Sequence, residues 1–171
     1  SQKQKEKIVI MVEVYIGLGS NLENPAEKIQ QARLFIAAQE NMSELNFSSL
    51  YSSPPMGPKD QPDYVNAVMS IQTGLSAIDL LRVLQGIENN FGRDRNVVRW
   101  GARTLDLDIL LYDDQQIDLP DLKVPHIGLS ERAFVLYPLQ EIANERLFVP
   151  GKGSIDDLIL QCPLDGLEKL N

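Results

Sequence analysis

Apolar and polar positions alternate with a period of two over three stretches and follow helical spacing over two more, and these patterns define the expected elements. Ile8 to Ile16 reads as a buried strand ending in a glycine turn, Gly17-Leu18-Gly19-Ser20-Asn21. Asn24-Pro25-Ala26-Glu27 predicts a helix start, with Asn24 as cap, Pro25 at the first helical position and Glu27 closing a capping box. Ile29, Ala32, Phe35 and Ile36 then form one apolar face to Gln39. Leu45, Phe47, Ser49 and Tyr51 alternate along a second strand. Tyr64 to Thr73 is a third, with Val65, Ala67, Met69 and Ile71 on one face and Tyr64 and Asn66 on the other. Between them, residues 53–62 hold four prolines and a glycine, which exclude a helix or a central strand and predict a long, restricted loop. Ser76 caps a second helix with Leu80, Leu84, Ile87 and Phe91 on its core side and Gly92 as its stop. Leu105, Leu107, Ile109 and Leu111 then alternate with Thr104, Asp106 and Asp108 along a fourth strand, and Asp113-Asp114 marks a turn.

The order strand-helix-strand-strand-helix-strand predicts an α+β fold. It is the ferredoxin-like βαββαβ arrangement, an antiparallel sheet with two helices on one face. The Asp106–Asp108 strand is expected inside that sheet, its polar side on the open face. A C-terminal extension follows: Val124-Pro125-His126, a helix from Ser130 broken or kinked at Pro138, a short strand at Phe148-Val149, and a last helix capped by Ser154. No repeat or low-complexity segment appears, so residues 1–171 are expected to form one domain, with 1–7 as a polar leader.

Composition narrows the function classes. A chain of 171 residues can bury a real core. The net charge of −8 argues against a general nucleic-acid partner, which selects for a basic surface. No apolar run reaches the ~18 residues of a membrane span. The one cysteine, Cys162, excludes an intrachain disulfide, fits a reducing cytoplasm and is expected in packing. Against the acidic background, four of the eight arginines fall between Arg93 and Arg103, a local concentration of positive potential.

That cluster abuts the candidate chemistry. Asp106 and Asp108 share a strand face, roughly 6–7 Å apart. Aspartate is a poor strand former and neighbouring carboxylates repel, so a positive group is expected between them. Carboxylate oxygens are hard donors that suit Mg²⁺, with water and phosphate oxygens completing the shell. Arginine forks bind phosphate oxygens in pairs. Together they suggest metal-assisted phosphoryl chemistry; a solvated strand face beside a surface loop with ordinary salt bridges accounts for the same residues. Gly17 and Gly19 are no dinucleotide fingerprint, since Leu22 holds the third glycine position, and Gly151-Lys152-Gly153-Ser154 is no Walker A loop. The glycines at 17 and 19 serve a tight turn or close backbone packing. Gln85 and Glu88 lie on the polar flank of the second helix, where they face either ligand or solvent.

Five stretches are collinear with one family. Tyr15-Ile16-Gly17-Leu18-Gly19-Ser20-Asn21, Pro54-Pro55-Met56-Gly57, Asp60 to Ala67, Arg99-Trp100-Gly101-Ala102-Arg103-Thr104-Leu105-Asp106-Leu107-Asp108-Ile109, and Val124-Pro125-His126 with Arg132-Ala133-Phe134 resemble the 6-hydroxymethyl-7,8-dihydropterin pyrophosphokinases of folate biosynthesis. The resemblance implies transfer of pyrophosphate from ATP to the pterin hydroxymethyl group, with release of AMP, on a ferredoxin-like fold. It implies two Mg²⁺ ions held by Asp106 and Asp108, and catalytic-loop arginines at Arg93 and Arg103. It places Ser53, Pro54, Met56, Tyr64, Asn66, Trp100 and Phe134 at the pterin. Gln85, Glu88, Arg95, Trp100, Arg103, Ile109, His126 and Arg132 fall at nucleotide positions. Asn96, Asp121, Lys123 and Ile127 depart from residues common in the family. The implied partners are the small-molecule substrates ATP and 6-hydroxymethyl-7,8-dihydropterin, with fusion to or association with a neighbouring folate-pathway enzyme; neither nucleic acid nor membrane is expected. The rival readings are another metal-dependent nucleotidyl or phosphoryl transferase and a ferredoxin-like RNA-binding module with aromatics on its sheet.

Overall fold

Among the residues that the computed structural model describes, 9–55, 60–91, 105–144 and 146–171, one antiparallel sheet organises the chain. Its centre is β1 (Val12–Ser20), which pairs along its whole length with β4 (Tyr64–Thr73), from Val12 opposite Thr73 to Ser20 opposite Val65. The other side of β1 pairs with β5 (Asp106–Tyr112). The far side of β4 is shared by β2 (Met42–Phe47) and β3 (Tyr51–Ser53), and β10 (Glu168–Lys169) closes on β3.

The alternation along β4 decides which helix covers which face. Val65, Ala67, Met69 and Ile71 join Ile29, Ala32 and Ile36 of α1 (Pro25–Ala37) and Leu80, Leu84 and Ile87 of α2 (Ala77–Asn90) in one buried cluster. Val68 points the other way, with Tyr15 and Leu110, to Leu136 and Leu139 of α3 (Ala133–Ile142) in a second. The face expected to be open is therefore covered in part by α3. A small hairpin, β6 (Ile117–Leu119) and β7 (Leu122–Val124), precedes α3; β8 (Phe148–Val149), β9 (Gly153–Ser154) and α4 (Ile155–Leu160) follow it. Among the described residues no helix is long and apolar enough to cross a membrane.

Several local expectations change. Gly17 and Gly19 form no turn: β1 runs through them to Ser20. Asn24 starts α1 from a left-handed backbone (φ 59°) and its side chain makes no cap bond. The expected second strand breaks into two because residues 48–50 span only two residues of β4; Ser48 bridges the break by bonding Val68 through both its N–H and its hydroxyl. Among the described residues β5 pairs with no strand but β1, which makes it an edge strand of its sheet. Its alternation also fails past Leu110. Tyr15 faces Leu111 and Ile16 faces Ile109, so Leu110 is the extra residue of a bulge. Leu110 and Leu111 thus both meet the α3 side, and Tyr112 turns to the other core. Only a 3₁₀ turn forms at Leu129–Glu131; α3 begins at Ala133 and continues through Pro138, whose missing N–H affects only the carbonyl of Phe134 in the first turn. The helix caps at Ser76 and Ser154 form, each hydroxyl accepting a backbone N–H at 3.2 Å, and Cys162 is buried in the α3-side cluster. Gly92 lies outside the described residues.

Leu84 is fully buried between α2 and the sheet. Leu84→Ala should cost about 2–5 kcal/mol, seen as a lower urea midpoint at unchanged m-value.

Candidate active site

A cavity of about 180 Å³ lies over the second half of β1 on the α3 side. Its floor is Gly17, Leu18 and Gly19. One wall is Ser53 at the end of β3 and Pro54 after it, with Tyr64 and Asn66 of β4; the facing wall is Asp106 and Asp108 of β5. Arg132, Phe134 and Val135, at the start of α3, lie across it. Eight of the residues singled out from sequence thus line one space.

The pairing register explains the opening. In antiparallel strands directly opposed residues point to the same face. Gly19 lies opposite Asn66 on one side and Asp106 on the other; Gly17 lies opposite Asp108. Two missing side chains therefore leave space between the carboxylates and the Tyr64–Asn66 wall. A Cβ at Gly19 would come within 3.2 Å of Asn66 Oδ1, and one at Gly17 within 3.3 Å of Leu110. Close backbone packing was legible in these glycines. Their place in the site was not, because only the strand register sets them against the aspartates.

Asn66 and Ser53 are both 5 % exposed, and Asn66 Nδ2 donates to Ser53 Oγ at 2.7 Å. The Arg132 guanidinium lies 5.7 Å from the centre of the Phe134 ring, a cation–π contact. His126 stands at the outer edge of β5, where its N–H bonds Leu110 O at 3.0 Å. Its Nδ1 accepts the Gly128 N–H at 3.1 Å, so the neutral ring carries its proton on Nε2, 3.8 Å from Asp108 Oδ2. Burial holds the His126 pKa below its ordinary value; the Asp108 carboxylate pulls it up and Arg132 pushes it down.

The donor set fits Mg²⁺. Two carboxylates open on one cavity, and among the described residues no group of three or more His, Cys, Asp or Glu side chains forms a closed cage. Mg²⁺ is characteristically held by one or two carboxylates, with water and phosphate filling the remaining positions.

Residues 15–144 match the family model described as 7,8-dihydro-6-hydroxymethylpterin-pyrophosphokinase (HPPK). The chain belongs to the HPPK family. Among similar curated proteins, 2-amino-4-hydroxy-6-hydroxymethyldihydropteridine pyrophosphokinase of Pseudomonas aeruginosa is 49% identical over 160 residues, covering 92% of this chain and 96% of that protein. The protein of the same name from Haemophilus influenzae is 47% identical, covering 94% and 99%. Folic acid synthesis protein fol1 of Schizosaccharomyces pombe is 37% identical over 90% of this chain but only 21% of its own length. In fold, the chain resembles Plasmodium falciparum HPPK-DHPS, wild type with pteroate, with a TM-score of 0.71 at 14% identity; the match covers 89% of this chain and 42% of that one.

Not every residue that the HPPK resemblance nominates reaches the cavity. Glu88 Oε2 accepts the Leu107 N–H at 3.0 Å, so it sits against the start of β5 from the α2 side. Gln85 accepts from Arg82 at 3.0 Å on the exposed side of α2, and Arg82 also bonds Asp121 at 3.0 Å. Ile109 is buried in the α1–α2 core. Ile127 is exposed. Met56, Arg93, Arg95, Asn96, Trp100 and Arg103 lie outside the described residues. Sequence reasoning missed Gly17, Leu18, Gly19, Ala67, Leu110 and Val135 as lining residues.

Asn66→Ala strips the buried Ser53 hydroxyl of its donor. It should cost about 1–3 kcal/mol in urea unfolding, and Asn66→Ala/Ser53→Ala together should cost less than the two single changes summed.

Proposed function

We propose that this chain catalyses Mg²⁺-dependent transfer of pyrophosphate from ATP to the hydroxymethyl group of 6-hydroxymethyl-7,8-dihydropterin, giving the pterin diphosphate and AMP in folate biosynthesis. The observation that carries the reading is one cavity holding both an aromatic, amide-lined side and a pair of carboxylates. The activity named for relatives 49% and 47% identical over nearly their full length supports it.

Tyr64 and Phe134 flank a planar ring, and the Asn66 amide offers donor and acceptor to its polar edge. The ring's hydroxymethyl arm then extends toward Asp106 and Asp108. These two residues would hold Mg²⁺, which supplies neutralisation of phosphate charge and a lowered hydroxyl pKa. The pterin hydroxyl oxygen attacks the β-phosphorus, the bond from that phosphorus to the α-bridging oxygen breaks, AMP leaves, and the hydroxyl proton is lost to water. Catalysis then rests on positioning and charge more than on a general base. By resemblance, Arg93, Arg95 and Arg103 bind the triphosphate and Trp100 closes over the ring. Gln85, Glu88, His126 and Arg132 contact the nucleotide; Ile109, its side chain in the core, does so through its main chain.

The sheet order also supports the ferredoxin-like reading. β1 to β2 and β4 to β5 each return across one intervening strand by way of a helix, with the second strand split and residues after β5 as an extension. We take 1–171 as one pyrophosphokinase domain in the cytoplasm. HPPK-DHPS as a structural relative, and the short share of fol1 that is matched, support association with or fusion to a neighbouring folate-pathway enzyme. An RNA-binding module needs an open sheet face, and α3 lies over this one.

Incubation with the pterin, ATP and Mg²⁺ should yield AMP; ADP as the nucleotide product would refute pyrophosphoryl transfer. Asp108→Ala should lower kcat by at least ~10³-fold. Its far-UV circular dichroism should match the parent's, because the change relieves carboxylate repulsion.

A further inference from the structure

The start of α3 and the end of β3 line the cavity together, and the segment leading through β3 runs antiparallel to α3. Phe134 on α3 and Ser53-Pro54 border the cavity at one end of this pair. The other end is closed by Glu141. Its carboxylate accepts the Ser49 N–H at 2.6 and 3.0 Å and the Tyr51 hydroxyl at 3.3 and 3.5 Å. Glu141 follows Phe134 by seven residues, nearly two turns, so both lie on one side of α3 about 10.5 Å apart. Ser49 precedes Ser53 by four residues, about 13 Å of extended chain. The two segments form a pair of jaws tied at one end and open at the other.

The tie is well supported. The Glu141 side chain is only 24 % exposed, and Lys169 Nζ of β10 stands 3.9 Å from it. Bonds from a backbone N–H to a carboxylate belong to the strong, charge-assisted class. Burial and the adjacent Glu141 charge push the Tyr51 pKa up to about 12. The lower jaw is also braced from outside. β10 pairs with β3, Asn171 accepts the Leu50 N–H at 3.1 Å, and Gly166 (φ 84°) approaches Pro54 so closely that a Cβ there would come within 3.0 Å of its ring. With β3 held on its outer edge, and α3 seated on the sheet through Leu136 and Leu139, Glu141 is the polar tie between α3 and the segment that leads into β3.

We propose that Glu141 is a positioning residue for the ring substrate: by tying α3 to the segment before β3 it sets the distance between Phe134 and the Ser53–Pro54 wall, and so the width of the slot that a planar heterocycle enters. The inference rests on the pterin reading of the cavity.

The test compares Glu141→Ala, Glu141→Asp and Glu141→Gln with the parent, measuring KM for 6-hydroxymethyl-7,8-dihydropterin and for ATP, kcat, and Tm. Glu141→Ala should raise the pterin KM about five-fold or more while kcat at saturating pterin and the ATP KM stay within about two-fold. Glu141→Gln keeps an acceptor for the Ser49 N–H and should stay within about two-fold of the parent. Glu141→Asp, one methylene short, should fall between them, and it carries the test if the alanine variant does not fold. An unchanged pterin KM in Glu141→Asp or Glu141→Ala, or equal losses for pterin and ATP, would overturn the tie. A parent protein that neither binds nor converts the pterin would instead overturn the function on which the slot depends.

Discussion

Two carboxylates at alternate positions of one strand repel each other, and the architecture holds them on one face regardless. The strand that carries them is restrained on three sides. β1 pairs along it through the glycines at 17 and 19, Glu88 accepts the Leu107 N–H from the α2 side, and the His126 N–H binds Leu110 O on the outer edge. Each restraint acts on backbone, and both aspartates line the cavity. Leu107 and Ile109, buried on the opposite face against the two helices, stabilise this strand. Structural and chemical work are thereby divided between alternate residues.

The same division runs through β4. Its odd-numbered residues from Val65 to Ile71 build the core under α1 and α2, while Tyr64 and Asn66 face the cavity. Between these two functional strands, β1 contributes no side chain at its opposed positions. Its glycines make the cleft by omission, and Leu18 between them fills the core below. A larger residue at either site would bring its Cβ against Asn66 or Leu110 before reaching any ligand.

Some purely local patterns were sound guides, while the glycine turn, the Asn24 cap and the helix start at Ser130 were not. The bounds of Tyr64–Thr73, the serine caps at 76 and 154, and the core face of the second helix depend on neighbours a few residues away, and the structure has them as read. Features set by distant partners were not legible. The break between β2 and β3 exists because both must reach β4, one residue out of step. The bulge at Leu110 lets two successive residues meet α3, which no alternation can signal. The edge position of β5 depends on which strands reach it, and among the described residues only β1 does. For the candidate site, residue types pointed to the aspartates and the aromatics, and the cavity gathers Asp106, Asp108, Tyr64 and Phe134; Gln85 and Glu88, on α2 as expected, do not line it.

Charge connects the fold to the proposed reaction. Among its described lining residues the cavity holds two carboxylates and one guanidinium, that of Arg132. Such a site suits a neutral heterocycle and repels a bare triphosphate. On the proposed reading the phosphates enter only when their charge is offset, by a divalent cation at Asp106 and Asp108 and by the arginines between 93 and 103. That requirement explains why half of the arginines in a chain of net charge −8 are concentrated in eleven residues just before the aspartate strand. The acidic pair alone would exclude the nucleotide, and the arginines alone would bind any polyanion. On the proposed reading, selectivity for a metal-bound nucleotide beside a flat, uncharged ring would come from requiring both.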